Sequence, residues 1–215
     1  MKNPNKYLGN EFKYVKKVLN SENWSGTSGS WNQALEKSFA KKIGARYAIA
    51  MNSGTSTIHA ALEAAGIGYG DEVLSPAISV LMDTTATILA NAVPVYVDVD
   101  PDTFNMDPND LQQKITSKSK AIIVVGIYGL PPDLDKIIEI ANYNDLILIE
   151  DNAQCLLSSY KGKITGTVGH MASYSFENTK HMSCGEGGMI VTDDQYLAEK
   201  CRLVRNHGES VLDDS

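Results

Sequence analysis

Long apolar runs are absent from this 215-residue sequence. No stretch approaches the roughly 20 residues that a membrane-spanning helix needs, and the opening MKNPNKYLGN has no apolar signal region. Basic clusters are absent too. The 19 Lys and Arg face 26 Asp and Glu, a formal net charge of -7, which is the wrong sign for a phosphate backbone. The expectation is a cytoplasmic protein with neither a membrane nor a nucleic acid as partner. Cysteine is sparse: Cys155, Cys184 and Cys201 are odd in number and far apart, and read as reduced thiols, neither a disulfide framework nor a zinc site. His59, His170, His181 and His207 show no ligand spacing, so no metal is expected.

Two nucleotide signatures are missing as well. There is no GxxxxGK[ST] phosphate loop. Gly66-Ile67-Gly68-Tyr69-Gly70 superficially resembles a dinucleotide fingerprint, but it follows a helical pattern and its spacing is wrong, so it reads as a helix-to-strand turn. Nucleotide hydrolysis and nicotinamide chemistry both lack their parts.

What is present is a globular balance of 43% hydrophobic and 21% charged residues, enough apolar material for one large core. Short β-rich runs alternate with helical patterns: YAIAM (47–51), EVLSP (72–76), VPVYVDV (93–99), AIIVV (121–125), LILIED (146–151), MASYSF (171–176) and MIVT (189–192). The helical stretches between and after them are TIHAALEAAG, VLMDTTATILANA, DPNDLQQKI, DLDKIIEIANY and DDQYLAEKCRLVRNHG. Continuous apolar strands separated by helices predict an α/β fold, a three-layer αβα arrangement around a mostly parallel sheet of seven strands. The last two strands are joined by a loop, which admits one antiparallel member.

Such sheets bind ligands beyond the carboxyl ends of their strands. After the first run come Asn52-Ser53-Gly54-Thr55-Ser56-Thr57, which are either a seat for an anion at a helix start or a plain Ser/Thr cap. The fifth run ends in Glu150-Asp151-Asn152-Ala153-Gln154, where Asp151 is either a carboxylate in a dry place or a helix cap. The sixth ends at Ser175, five residues before Lys180 in SFENTK, and Lys180 is either a snorkelling loop lysine or an amine put to chemical use. Gly185-Glu186-Gly187-Gly188 then leads into the last strand and reads on its own as a turn. An anion seat, a carboxylate and a lysine on three strand ends are what pyridoxal 5'-phosphate requires for its phosphate, its ring nitrogen and its aldehyde.

The order SGT, DVDPDTFNMDP, EDNAQ, SFENTK and GEGG, with ALEKSFAKKIGARYAIAMNSGTSTIHAALEAAGIGYGDEV before it, resembles the DegT/DnrJ/EryC1/StrS family of sugar aminotransferases across nearly the whole chain. The resemblance implies the large domain of fold type I of pyridoxal-phosphate-dependent transferases over 1–215, with an N-terminal helical segment and without the family's small C-terminal domain. It implies Lys180 as the Schiff-base lysine and Asp151 as partner of the pyridinium, the two catalytic residues. Gln154 would lie beside the 3-hydroxyl oxygen, and Gly54, Thr55, Ser56 and Ser175 around the phosphate. It further implies glutamate as amino donor, a nucleotide-linked keto-sugar as acceptor, a place in polysaccharide biosynthesis, and a homodimer. Val80 stands where the family commonly stacks an aromatic residue on the ring, and Gly126 where it often has a histidine. Sugar dehydratases of the family replace the lysine by histidine, so Lys180 argues against that activity, and His181 reads as a surface residue. A remnant that binds the cofactor without turnover is the other alternative.

Overall fold

Buried apolar runs form the strands. The structure is a computed structural model that describes residues 9–27 and 29–209; the polar opening through Leu8 and the tail from Ser210 lie outside the described residues. Seven strands make one sheet: β1 (Tyr47–Met51), β2 (Glu72–Pro76), β3 (Val93–Val97), β4 (Ser119–Val125), β5 (Ile147–Asp151), β8 (Met171–Ser175) and β9 (Gly188–Thr192). A separate two-residue-per-strand hairpin, β6 (Ser159–Tyr160) and β7 (Lys163–Ile164), comes between β5 and β8. The sequence runs gave no sign of this hairpin. It turns at Lys161 and Gly162, both with positive φ (48° and 83°), through the left-handed geometry that short hairpins need.

The sheet order is β1-β9-β8-β5-β4-β2-β3. The pairs from β3 to β8 are parallel, whereas β9 runs antiparallel to both β8 and β1. That single reversal decides the geometry of the site. β1, β8, β5, β4 and β2 all end at one edge, and β9 begins there, so Gly188 pairs with both Met51 and Ser175. The third run is shorter than its sequence pattern, 93–97 instead of 93–99. The Asp98 amide bonds to the Asp110 carboxylate, and Val99 instead pairs with Met106.

Helices cover both faces. α3 (Gly54–Ala64), α4 (Met82–Leu89) and α7 (Gln195–Arg205) lie on one face, where Ile58, Leu62 and Ala198 pack on Ile49, Ile123, Ile149 and Ile190. On the other face α5 (Pro108–Lys114) and α6 (Leu134–Tyr143) cover Leu74, Ile122, Val124 and Leu148. There α2 (Ser30–Ile43) also sets Phe39 and Ile43 against Tyr174, Met189 and Val191. α1 (Glu11–Leu19) contributes no buried residue. Alternate strand residues go to alternate faces, so Ile149 and Asp151 share the α3 face while Leu148 and Glu150 share the other. An ion pair between Glu36 and Arg205 (2.6 Å) ties α2 to α7, and Glu36 also accepts the Ala50 amide of β1 at 2.8 Å. Among the described residues no helix is long and apolar enough to cross a membrane. The three cysteines are free, Cys155 and Cys201 buried and Cys184 exposed.

Candidate active site

The glycines at the carboxyl edge are set by close packing of the chain on itself. A Cβ on Gly54 would come within 2.8 Å of the Ser175 Cβ, and one on Gly188 within 2.5 Å of the Ser53 carbonyl oxygen. The start of α3 is therefore pressed against the end of β8 and the beginning of β9. A hydrogen bond between the Thr57 and Ser173 hydroxyls fastens the same contact. The neighbour that a Gly54 side chain would meet is Ser175, at the end of β8. Of GEGG, Gly185 meets the turn expectation with φ of 92°, while Gly188 is required by packing. Gly66 and Gly70, with φ of 74° and 86°, make the helix-to-strand turn expected of GIGYG.

At the start of α3 the Ser53 side chain caps the helix by accepting the Ser56 amide at 3.1 Å, and the Ser53 and Ser56 hydroxyls bond to each other at 2.9 Å. Ser56 is thus partly engaged by the cap. The amides of Gly54 and Thr55 precede the first intrahelical hydrogen bond and face the edge with the positive end of the helix dipole.

Asp151 ends β5 and is 5% exposed. Its Oδ1 accepts the Ala153 amide at 2.9 Å. Burial raises its pKa from the ordinary carboxylate value, opposed by the Ala153 hydrogen bond, then by the positive charge of Lys180 and a hydrogen bond from Asp83. Lys180 therefore lies within electrostatic reach of Asp151. The loop that carries Lys180 is pinned at its base, where the Phe176 amide donates to the Gly187 carbonyl at 2.8 Å and the Cys184 amide to the Phe176 carbonyl at 3.0 Å. Its turn closes through the Lys180 amide on the Glu177 carbonyl, also at 3.0 Å.

Lys180 and Gln154 line one cavity of about 440 Å³, together with Tyr128, Ala153 and His181. Gln154 is oriented there by the Tyr128 amide, which donates to its Oε1 at 2.9 Å. Ser56 instead lines a second cavity of about 670 Å³, with Asn52, His59, Cys184 and Glu186. The structure thus joins Gly54 to Ser175, Asp151 to Lys180, and Lys180 to Gln154. Thr55 is half-buried in the first turn of α3, and Val80 is 38% exposed just before α4. His181 is exposed, as expected, and Gly126 packs closely on Cys155, where a Cβ would come within 2.5 Å of the Cys155 Cβ.

One site residue escaped the sequence reading. Asp83, in the first turn of α4, is 1% exposed and lies within electrostatic reach of Asp151. Burial, then the charge of Asp151, raises its pKa well above the ordinary value. In sequence it reads as an acid placed to favour a helix N-terminus. The only available signal was its spacing: it lies seven residues after strand-ending Pro76, at the same edge as Asp151.

The donor set fits pyridoxal phosphate. Unpaired helix-start amides suit a phosphate, a buried carboxylate suits a cationic ring nitrogen, and a lysine within reach of that carboxylate suits the aldehyde. The comparisons agree. The model of the DegT/DnrJ/EryC1/StrS aminotransferase family matches residues 6–215. The GDP-perosamine synthase of Caulobacter vibrioides is 42% identical over 93% of this chain and 54% of its own length. The aminotransferase from Psychrobacter cryohalolentis superimposes with a TM-score of 0.90 at 36% identity, over 95% of this chain and 52% of that one. The Streptococcus pneumoniae protein Spr1654 in its PLP form gives 0.87 at 27% identity, over 93% and 56%. The chain spans about half the length of these relatives. Its sheet is that of fold type I of the pyridoxal-phosphate-dependent transferases, and by sequence and fold together it belongs to the DegT/DnrJ/EryC1/StrS aminotransferase family.

Proposed function

We propose that this chain carries the pyridoxal 5'-phosphate site of a nucleotide-sugar aminotransferase, with glutamate as amino donor and a nucleotide-linked keto-sugar as acceptor. The observation that carries the reading is the buried Asp151 within electrostatic reach of Lys180, at the edge where α3 starts. When bound, the cofactor supplies a protonated pyridine ring that draws electrons from the carbon beside a substrate amine.

Asp151 keeps that ring nitrogen protonated, and burial strengthens the interaction because little water screens it. Lys180 would hold the aldehyde and, once released from it, would take the proton from the carbon beside the substrate amine. The Gly54 and Thr55 amides, with the hydroxyls of Thr55, Ser56 and Ser175, hold the phosphate. Gln154 has its Oε1 occupied by the Tyr128 amide, which leaves its NH2 to donate to the 3-hydroxyl oxygen. Val80 packs on the ring with less contact than an aromatic side chain would give. The keto-sugar is inferred from relatives such as the GDP-perosamine synthase, and a cytoplasmic homodimer goes with that inference.

The alternative reading is cofactor binding without turnover. One experiment separates the two. Pyridoxal phosphate is titrated into the 215-residue chain, the adduct is reduced with borohydride, and its peptide is identified by mass spectrometry. We expect visible absorbance, an adduct on Lys180, and bleaching by glutamate. Colour that glutamate does not bleach selects the second reading. An adduct of equal yield in Lys180→Ala would sink both.

A further inference from the structure

Asp83, in the first turn of α4, and Asp151, at the end of β5, act on each other at the carboxyl edge. Both are buried, 1% and 5% exposed, and each carboxyl group lies within electrostatic reach of the other. Two carboxylates buried this near each other repel with little water to screen the repulsion. A proton held on one of the two relieves that repulsion.

The surroundings say which. The Ser79 hydroxyl donates to Oδ2 of Asp83. Oδ1 of Asp83 is buried and receives no hydrogen bond from a protein donor. An oxygen that itself carries the proton has that environment. Asp151 has the opposite setting: it accepts the Ala153 amide and lies in the field of Lys180, both of which favour its charged form. The charged or titratable groups bearing on the pair are Lys180 from the loop after β8 and the Cys155 thiol, whose pKa burial raises so that it stays neutral.

We propose that Asp83 is a positioning residue for the cofactor-ring end of this site: it stays un-ionised and donates a hydrogen bond to the Asp151 carboxylate, so that Asp151 presents a fixed oxygen to a cationic ring nitrogen. The proposal rests on the pyridoxal-phosphate reading given above. A second acid held neutral adds a donor without adding a second negative charge beside Asp151. It also satisfies an Asp151 lone pair that burial would otherwise strand. Val80 lies one turn ahead of Asp83, so the α4 start that presents this acid also carries the residue expected to pack on the ring.

The test uses Asp83→Asn and Asp83→Leu. Asparagine keeps an acceptor for Ser79 and a donor for Asp151; leucine keeps the volume and removes the donor. Infrared difference spectra of wild type against Asp83→Asn, taken at neutral pH without cofactor, should contain the carbonyl stretch of an un-ionised carboxylic acid in the wild type. The unfolding free energy of wild type relative to Asp83→Asn should also fall as pH rises above the ordinary Asp range, because only the folded wild type retains that proton. Affinity for pyridoxal phosphate should stay within about threefold in the Asn variant and drop about tenfold or more in the Leu variant, the scale of a lost hydrogen bond to a charged group. A difference spectrum with carboxylate bands alone, or Asn and Leu variants that bind the cofactor equally, overturns the proposal. If the acid band is present but even the wild type fails to bind pyridoxal phosphate, the role toward the ring is overturned with the functional reading, and the acid pair itself is upheld.

Discussion

Glu150 and Asp151 are neighbours in sequence with unrelated duties, because consecutive strand residues face opposite sides of a sheet. Asp151 faces α3 and the carboxyl edge. Glu150 faces the other way and is 2% exposed. Its carboxylate accepts three backbone amides, from Gly166 at 2.7 Å, Val168 at 2.9 Å and Gly169 at 2.7 Å, which fixes the segment between β7 and β8. Glutamine in its place would turn an NH2 group toward at least one of those donors and remove the charge that strengthens all three bonds. Glu150→Gln should therefore cost about 2–3 kcal/mol of stability in chemical denaturation. It should leave cofactor affinity nearly intact, since Glu150 lies on the face away from Lys180. A loss below about 0.5 kcal/mol, within the usual range of a surface change, would contradict this account. The sequence shows two acids after an apolar run; it cannot show that one binds a loop and the other lines a site, because the loop amides come from residues 166–169.

At the scale of elements, the strands and helices were legible because both faces of the sheet are covered, so each strand is a continuous apolar run. The reversed β9 was open to expectation from the loop before it. The hairpin β6–β7 was not legible, since two-residue strands carry no periodicity. The partners of α3 were hidden too. Only the folded sheet brings the start of this helix against β8 and β9, and that approach explains Gly54 and Gly188 better than any local turn. Gly188→Ala tests the contact. Its new Cβ would meet the Ser53 carbonyl oxygen at 2.5 Å and the Thr57 Cγ2 at 2.8 Å, so the backbone at the start of α3 has to move. The expected cost is about 1–3 kcal/mol, as for other overpacked cores, with weaker cofactor retention on dialysis because the phosphate seat moves with the helix. Gly68→Ala is the control, its nearest neighbour being a backbone oxygen at 3.8 Å. Equal denaturation midpoints for the two variants would show that the approach is relieved without cost.

For the molecule as a whole, the pH dependence of stability reflects groups on different parts of the sheet that pull in opposite directions. The acid pair at the carboxyl edge makes folding less favourable as pH rises, because the folded state keeps a proton that the unfolded chain releases. His170, just before β8, works in the other sense. Burial lowers its pKa from 6.5, partly opposed by the charge of Asp194. Its Nδ1 also accepts the Leu148 amide at 2.9 Å, which requires that nitrogen to be unprotonated. Below about pH 6.5 the unfolded chain therefore takes up a proton at this position that the folded one refuses, and stability is lost as pH falls from neutral into that window. His170→Asn places a side-chain oxygen where Nδ1 stood, keeping the acceptor for Leu148 and removing the titration. Denaturation of both proteins at pH 7.5 and pH 5.5 should show a larger loss on acidification in the wild type. Parallel losses in the two would mean that His170 is protonated in the folded state too, and that the Leu148 amide has another acceptor.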